Sequence, residues 1–80
     1  METDQVKRVT GLRQVTRAME QGALLSAVIA EDADALLKEE LIHKLQQAHI
    51  PYEFVASMKE LGQQCGINVG AAVMGHIQSA

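Results

Sequence analysis

Leu24-Leu25-Ser26-Ala27-Val28-Ile29-Ala30 is a nearly continuous apolar run, which is the pattern of a β-strand that is covered on both faces. The run is followed at once by Glu31-Asp32-Ala33-Asp34. The carboxylates of that segment are well suited to cap the N-terminus of a helix. The stretch therefore predicts a buried strand that leads directly into a helix.

The flanking segments predict further elements. Apolar residues recur at i, i+3, i+4 and i+7 in an amphipathic helix over about residues 12–21, and Gly22 is suited to stop it. A second helix follows the acidic segment and ends before Pro51. The apolar stripe of this second helix consists of Leu37, Leu41, Leu45 and Ala48, and Ile42 flanks it.

The C-terminal part of the chain predicts two more strands and a short helix. Residues 52–55 alternate as a short strand, and residues 57–60 have the pattern of a capping box. The capped helix should run to about Cys65, where Gly66 closes it. The apolar residues between Ile67 and Ile77 predict a last buried strand.

Strands and helices therefore alternate along the chain. Alternation predicts an α/β fold in which helices cover both faces of a mixed or parallel sheet, a three-layer α/β/α sandwich. Residues 7–9 fit either another short strand or the end of an N-terminal helix. In such sheets the functional surface usually lies at the loops that follow the strands. Here those are the turn before Arg13, the acidic loop after Ala30 and the loop over residues 55–58.

Length and composition restrict the class of protein. With 80 residues, 48% of them hydrophobic, we expect a single domain spanning residues 1–80. The one cysteine, Cys65, cannot form an internal disulfide, which favours a reducing location. No apolar run approaches the roughly 20 residues of a membrane span, and the acidic N-terminus is unlike a secretory signal. We therefore expect a cytoplasmic protein without a membrane partner.

The segment Gly11–Arg17 is the main candidate site. Gly11 can turn sharply, and a helix that begins after it would hold Arg13, Gln14 and Arg17 on one polar face. Two cations and one amide beside a helix N-terminus can bind phosphate oxygens and contact base edges. From spacing alone, the same pattern also fits a solvated helix face. The net charge of −3 makes long-range attraction to a polyanion weak, so binding would depend on close contacts.

Other side chains give weaker indications. Glu31, Asp32 and Asp34 could hold Mg²⁺ or Ca²⁺ or form a phospho-acceptor pocket, but helix capping explains them better. The three histidines lack zinc-ligand spacing. Cys65 has no sequence partner for a nucleophilic triad. We expect no metal site, no cofactor and no catalytic residues.

Three segments together resemble one family. Gly11-Leu12-Arg13-Gln14-Val15-Thr16-Arg17 is similar to the signature Gly-Thr-Asn-Glu-x-Thr-Lys and to its bacterial variant Gly-Thr-Lys-Gln-x-x-Lys. Residues 30–34 are similar to Ala-Glu-Asp-x-Asp. Residues 50–66 are similar to Ile-Pro-Tyr…Val-x-Ser-x-x-x-Leu-Gly…Cys-Gly. These are the motifs of the kink-turn RNA-binding ribosomal protein family, the archaeal large-subunit "seven-Ae" type, and of its short bacterial paralogs.

The resemblance implies a four-stranded mixed sheet and binding to a kink-turn, an RNA helix–bulge–helix that is bent by tandem sheared G·A pairs. It implies that Arg13 and Gln14 contact guanine edges, that Arg17 contacts phosphates, and that Gly11 lets the main chain approach. Residues Val55, Ala56 and Ser57 would cover the bulged nucleotides, and Asp34 would lie near the flipped-out base. The RNA partner would be ribosomal RNA or a riboswitch, not DNA, and we expect the protein to be a monomer.

Two other functions remain open from the sequence. One is a protein–protein adaptor that keeps the fold without the RNA site and binds through the acidic helix around residues 34–40. The other is a small metal- or phosphate-handling enzyme that uses Glu31 and Asp32.

Overall fold

The fold was analysed in a computed structural model that describes residues 6–64, residue 66 and residues 70–78. The expectations for Cys65 and for residues 67–69 lie outside this described part. Within it, no helix is long and apolar enough to cross a membrane. The described elements are β1 (Val6–Thr10), α1 (Leu12–Glu20), β2 (Leu24–Ala30), α2 (Ala35–Gln47), β3 (Tyr52–Val55), α3 (Met58–Gln64) and β4 (Val73–Gln78).

The four strands form one mixed sheet in the order β1-β4-β2-β3. Strand β4 is antiparallel to both of its neighbours, β1 and β2, whereas β2 and β3 are parallel. The last strand in the sequence therefore lies in the middle of the sheet. The predicted α/β fold with a four-stranded mixed sheet is confirmed, and residues 7–9 belong to a strand.

Both faces of the sheet carry a hydrophobic core, and the side chains of β2 alternate between them. Ala27 and Ile29 pack with residues of α1 and α2 on one face. Val28 and Ala30 pack with Leu61 of α3 on the other. Side chains alternate across a strand, so a strand that is covered twice must be apolar at nearly every position. This explains the continuous apolar run and gives the three layers of the sandwich.

The first two helices end in the same hydrogen-bonded motif. After α1, Gly22 takes a φ of 72° and its N–H donates to the carbonyl of Met19. After α2, His49 takes the equivalent place with a φ of 58°, and its N–H donates to the carbonyl of Gln46. Such C-terminal motifs need one residue in the left-handed backbone conformation. Glycine adopts this conformation without strain, whereas histidine does not.

Two details of the predicted elements are wrong. The last strand begins at Val73 and does not include residues 70–72, because the N–H of Ala71 donates to the carbonyl of Met58 at 3.0 Å and not to a neighbouring strand. Ala48 is exposed and caps α2, so it does not belong to the buried stripe of that helix. In contrast, Leu41 and Leu45 of the same stripe are buried.

The left-handed conformation of His49 generates a stability prediction. We expect His49→Gly to raise the free energy of unfolding by about 1 kcal/mol, because glycine removes the steric cost of a positive φ. The measurement is urea unfolding followed by circular dichroism. The matched control is His43→Gly in the body of α2, which should lower stability by roughly 0.5 kcal/mol. A loss of stability in both variants would contradict the prediction.

Candidate functional site

The C-terminal ends of three strands and the N-terminal end of the fourth lie side by side at one end of the sheet. Strands β1, β2 and β3 end there, and β4 begins there. Backbone hydrogen bonds join the loops to neighbouring strands: Gly11 N–H to the carbonyl of Val73 at 2.9 Å, and Glu31 N–H to the carbonyl of Val55 at 2.8 Å. Strand spacing of about 4.8 Å makes this edge about 14 Å wide from β1 to β3. We call it the loop edge.

Gly11 starts α1 in a conformation that other residues avoid. Its φ of 96° and ψ of 155° are almost exclusive to glycine, and no side chain caps the helix. A Cβ atom added there would meet nothing within 4 Å. The glycine is therefore required by backbone conformation, not by crowding, and the space beside it is open to a ligand.

The structure brings Arg13, Gln14 and Arg17 together on the exposed surface of α1. Arg13 and Arg17 line one surface groove of about 420 Å³. Gln14 and Arg17 line a second groove of about 240 Å³ between α1 and the sheet. Arg17 therefore lies between Arg13 and Gln14, as their positions on a helix require. The two guanidinium groups face solvent on the same side of the protein.

Arg8 is not part of this group. It lies on the opposite face of the sheet, where its guanidinium donates to the main-chain carbonyl of Gln64 at the end of α3. The position opposite Arg8 on β4 is His76, whose Nδ1 lies 3.1 Å from the hydroxyl of Ser26. Arg8 and the two arginines of α1 therefore lie on opposite faces of the sheet.

The acidic loop after β2 is used mainly to hold the structure. Asp34 is the N-cap of α2, and its carboxylate accepts from the N–H of Leu37 at 3.1 Å. Asp32 accepts from the N–H of Met58 at 2.7 Å, so it caps α3 and not the helix that follows it. Among the described residues, no three His, Cys, Asp or Glu side chains could hold one metal ion. The capping explanation is confirmed for Asp34, and the role of Asp32 was missed.

The loop Val55–Ser57 is fixed from both sides. Ser57 accepts from the N–H of Glu60 at 3.1 Å, which is half of the predicted capping box. Within the described residues, the returning bond from Glu60 is absent, and Asp32 supplies the second cap. Gly70 packs so closely that an added Cβ would lie 3.1 Å from the Cβ of Met58. Val55 and Ser57 are half-buried and Ala56 is exposed, so the loop presents a narrow surface.

Sequence reasoning also missed a set of exposed apolar side chains at the loop edge. Each lies in the first turn of a helix: Leu12 in α1, Leu36 in α2 and Met58 in α3. Leu36 is the most exposed of them, at 71%. Large exposed apolar side chains close to one another often mark a binding surface. The sequence could have indicated this exposure, because Leu36 lies outside the apolar stripe of its helix.

The bond between Asp32 and Met58 generates a prediction. Asp32→Ala should lower the free energy of unfolding by about 1 kcal/mol, because the first amide of α3 loses its acceptor. Asp32→Asn should cost less, since an amide oxygen can still accept. Urea unfolding measures both, and Glu31→Ala is the control because no described hydrogen bond uses its side chain. Equal losses for Asp32→Ala and Glu31→Ala would contradict the assigned cap.

Comparison with known proteins gives a consistent family match. Residues 1–79 match the family described as "Ribosomal protein L7Ae/L30e/S12e/Gadd45 family". The chain is 39% identical over 72 residues to "RNA-binding protein GWCH70_0105" of Geobacillus sp. (strain WCH70), covering 90% of this chain and 88% of that protein. It is 40% identical over 68 residues to "RNA-binding protein YbxF" of Geobacillus stearothermophilus, covering 85% and 83%.

Solved structures agree on the fold. A protein of unknown function from Bacillus halodurans superposes with a TM-score of 0.79 at 27% identity, covering 91% of this chain and 72% of that one. The Giardia lamblia 15.5kD RNA binding protein gives a TM-score of 0.79 at 24% identity, covering 91% and 61%. The second likeness concerns the fold alone.

Proposed function

The chain belongs to the ribosomal protein L7Ae/L30e/S12e/Gadd45 family, and we propose that it is a non-catalytic RNA-binding protein that recognises kink-turns. The relatives that carry the name RNA-binding protein support the first part of this proposal. The geometry of the loop edge supports the second. We also propose that the chain acts as a single domain and as a monomer in the cytoplasm, on ribosomal RNA or a riboswitch.

One observation carries the proposal: Arg13, Gln14 and Arg17 lie exposed together on the first turns of α1, directly after the uncapped Gly11. An uncapped helix N-terminus presents unpaired N–H groups to an anion. The guanidinium of Arg13 and the amide of Gln14 can form paired hydrogen bonds with base edges. In this proposal they contact the guanines of the sheared pairs, and Arg17 binds the backbone phosphates.

The rest of the loop edge forms the second wall of the proposed site. Val55, Ala56 and Ser57 would cover the bulged nucleotides from the end of β3. The carboxylate of Asp34 uses one oxygen to cap α2, and its other oxygen is available to accept from a flipped-out base. Leu36 adds exposed apolar surface beside it, which suits the face of an unstacked base.

Recognition of a bent RNA has an energetic consequence. Contacts to both walls of the site can form together only when the RNA is kinked, so binding would shift the RNA toward its kinked state. The protein has a net charge of −3, so nonspecific attraction to straight duplex is weak. The proposed selectivity therefore comes from shape and from the G·A pairs, and little from bulk charge.

For Arg17→Ala we expect weaker binding to every kink-turn, because the contact is to phosphate and carries no base information. The slope of log K against log salt should become shallower by about 0.9, which is the contribution of one phosphate contact. Gel-shift titrations at several salt concentrations measure both quantities. Lys44→Ala on α2 is the control, and an equal effect of the two substitutions would contradict the assignment.

For Gln14→Ala we expect a loss of roughly 1–3 kcal/mol in binding free energy, the range known for direct base contacts in duplex recognition. The loss should shrink when the G·A pairs of the RNA are replaced by Watson–Crick pairs, because the contacted edges are then absent. The measurement is a titration of both RNAs with both proteins. Failure of the wild-type protein to prefer the kink-turn RNA at low salt would refute the proposed function.

A second candidate function is a protein–protein adaptor. The exposed Leu36, together with the exposed Glu39 and Glu40 on α2, favours it because an apolar side chain beside carboxylates can form a docking surface. Pull-down before and after ribonuclease treatment separates the two functions. Partners that persist after treatment, and that are lost in Leu36→Ser, would support the adaptor.

A further inference from the structure

A groove runs from the loop edge along the inner side of α1. It has a volume of about 240 Å³ and is lined by Val9, Gln14, Arg17, Ala18, Gln21 and Ile77. Helix α1 begins at the loop edge and runs back along the sheet, so Gln14 lies at the near end of the groove and Gln21 at the far end. A rise of 1.5 Å per residue puts these two Cα atoms about 10 Å apart along the helix axis.

Lys7 lies on β1 next to the far end of this groove, opposite the lining residue Ile77. It pairs with Ile77 across the two strands, and directly opposed residues have Cβ atoms about 5 Å apart. Side chains two apart on a strand share a face, so Lys7 faces the same side as Val9, which packs against the core under α1. The lysine is exposed, so its ammonium group can reach over the far end of the groove.

The charges beside α1 favour this groove over the other side of the helix. Among the described residues, those that line the inner groove include one cation, Arg17, and no acid. The outer groove on the other side of α1 is lined by Arg13 and Arg17 near the loop edge and by the carboxylate of Glu20 beyond them. A polyanion that is bound at Arg17 and extends away from the loop edge would meet the Glu20 carboxylate in the outer groove. In the inner groove it would meet no described acid, so the inner groove is the more favourable path.

We propose that the phosphate backbone of one duplex stem flanking the kink lies along this groove and is contacted by Lys7 and Gln21. This inference rests on the proposed function and extends its footprint from the loop edge across the length of α1. Lys7 supplies charge to one phosphate, and the amide of Gln21 donates a hydrogen bond. Neither contact carries base information, so together they determine how much stem the protein requires.

The loss-of-contact experiment uses Lys7→Gln and a kink-turn RNA with two full stems. The variant should weaken binding severalfold at low salt, and the salt slope should fall by about one. The Kd of the variant divided by the Kd of the wild type should then decrease about 3.5-fold between 50 and 200 mM salt, as a slope change of about 0.9 requires. Shortening one particular stem, tested for each stem in turn, should abolish the difference between the variant and the wild type.

Matched controls separate a contact from a change in net charge. Lys44→Gln on α2 removes the same charge and should leave binding unchanged. Gln21→Lys should tighten binding to the full-stem RNA about threefold, whereas Gln47→Lys at the end of α2 adds the same charge without this gain. Lys7→Arg should bind like the wild type, and melting temperatures confirm that every variant is folded.

The outcomes distinguish this inference from the function on which it rests. If Arg17→Ala weakens binding while Lys7→Gln and Gln21→Lys bind like the wild type, the groove is not a contact and the proposed function stands. An effect of Lys7→Gln that does not depend on stem length also overturns the inference. If the wild-type protein does not bind kink-turn RNA, both proposals fail.

Discussion

Strand β2 is apolar at nearly every position because α1 and α2 cover one of its faces and α3 covers the other. Burying such a strand requires neighbours on both sides as well as helices on both faces. Strand β3 pairs with it in parallel, and β4 returns from the C-terminal part of the chain to pair on its other side. The positions of β3, β4 and the three helices follow from this double burial, and β1 is added to the outer side of β4.

The same arrangement produces the loop edge. Because β1, β2 and β3 point the same way, their ends lie at one edge, and α1, α2 and α3 all begin there. Capping bonds then connect one loop to another: Asp32 in the loop after β2 holds the amide of Met58 after β3. A binding surface made of loops is usually mobile. Here the bonds between loops reduce the entropy that a ligand must remove, and the proposed binding of a bent RNA would benefit from such preorganisation.

Much of this could be predicted from the sequence, since local chemistry determines it. The helix over residues 12–20 follows from its apolar spacing, and the parallel strand pair is consistent with an apolar run and an alternating strand separated by a capped helix. What could not be predicted depends on long-range contacts. The partner of Asp32 is 26 residues away, and the late start of β4 depends on how residues 70–72 pack against α3. The left-handed conformation of His49 could not be predicted either, because the residue at that position of the motif is normally glycine.

The sequence placed Arg13, Gln14 and Arg17 correctly on one face because helical spacing alone determines it. It could not assign Lys7 and Arg8 to opposite faces of the sheet without knowing that residues 6–10 form a strand. The difference matters because Arg8 holds the end of α3, whereas Lys7 faces the groove beside α1. Two adjacent cations in the sequence therefore have unrelated roles.

An acidic protein can bind a polyanion when its charges are separated by more than the screening distance. Glu39 and Glu40 lie on α2, and the axes of packed helices are about 8–10 Å apart. The Debye length at physiological ionic strength is about 8 Å. Repulsion from α2 is therefore partly screened at the α1 surface, while the direct contacts to RNA that we propose for Arg13 and Arg17 would not be screened. At low salt the repulsion extends further and offsets part of the gain from those contacts. Under the proposed function, affinity at physiological salt would therefore depend on fit, which suits selection of one RNA shape among many duplexes.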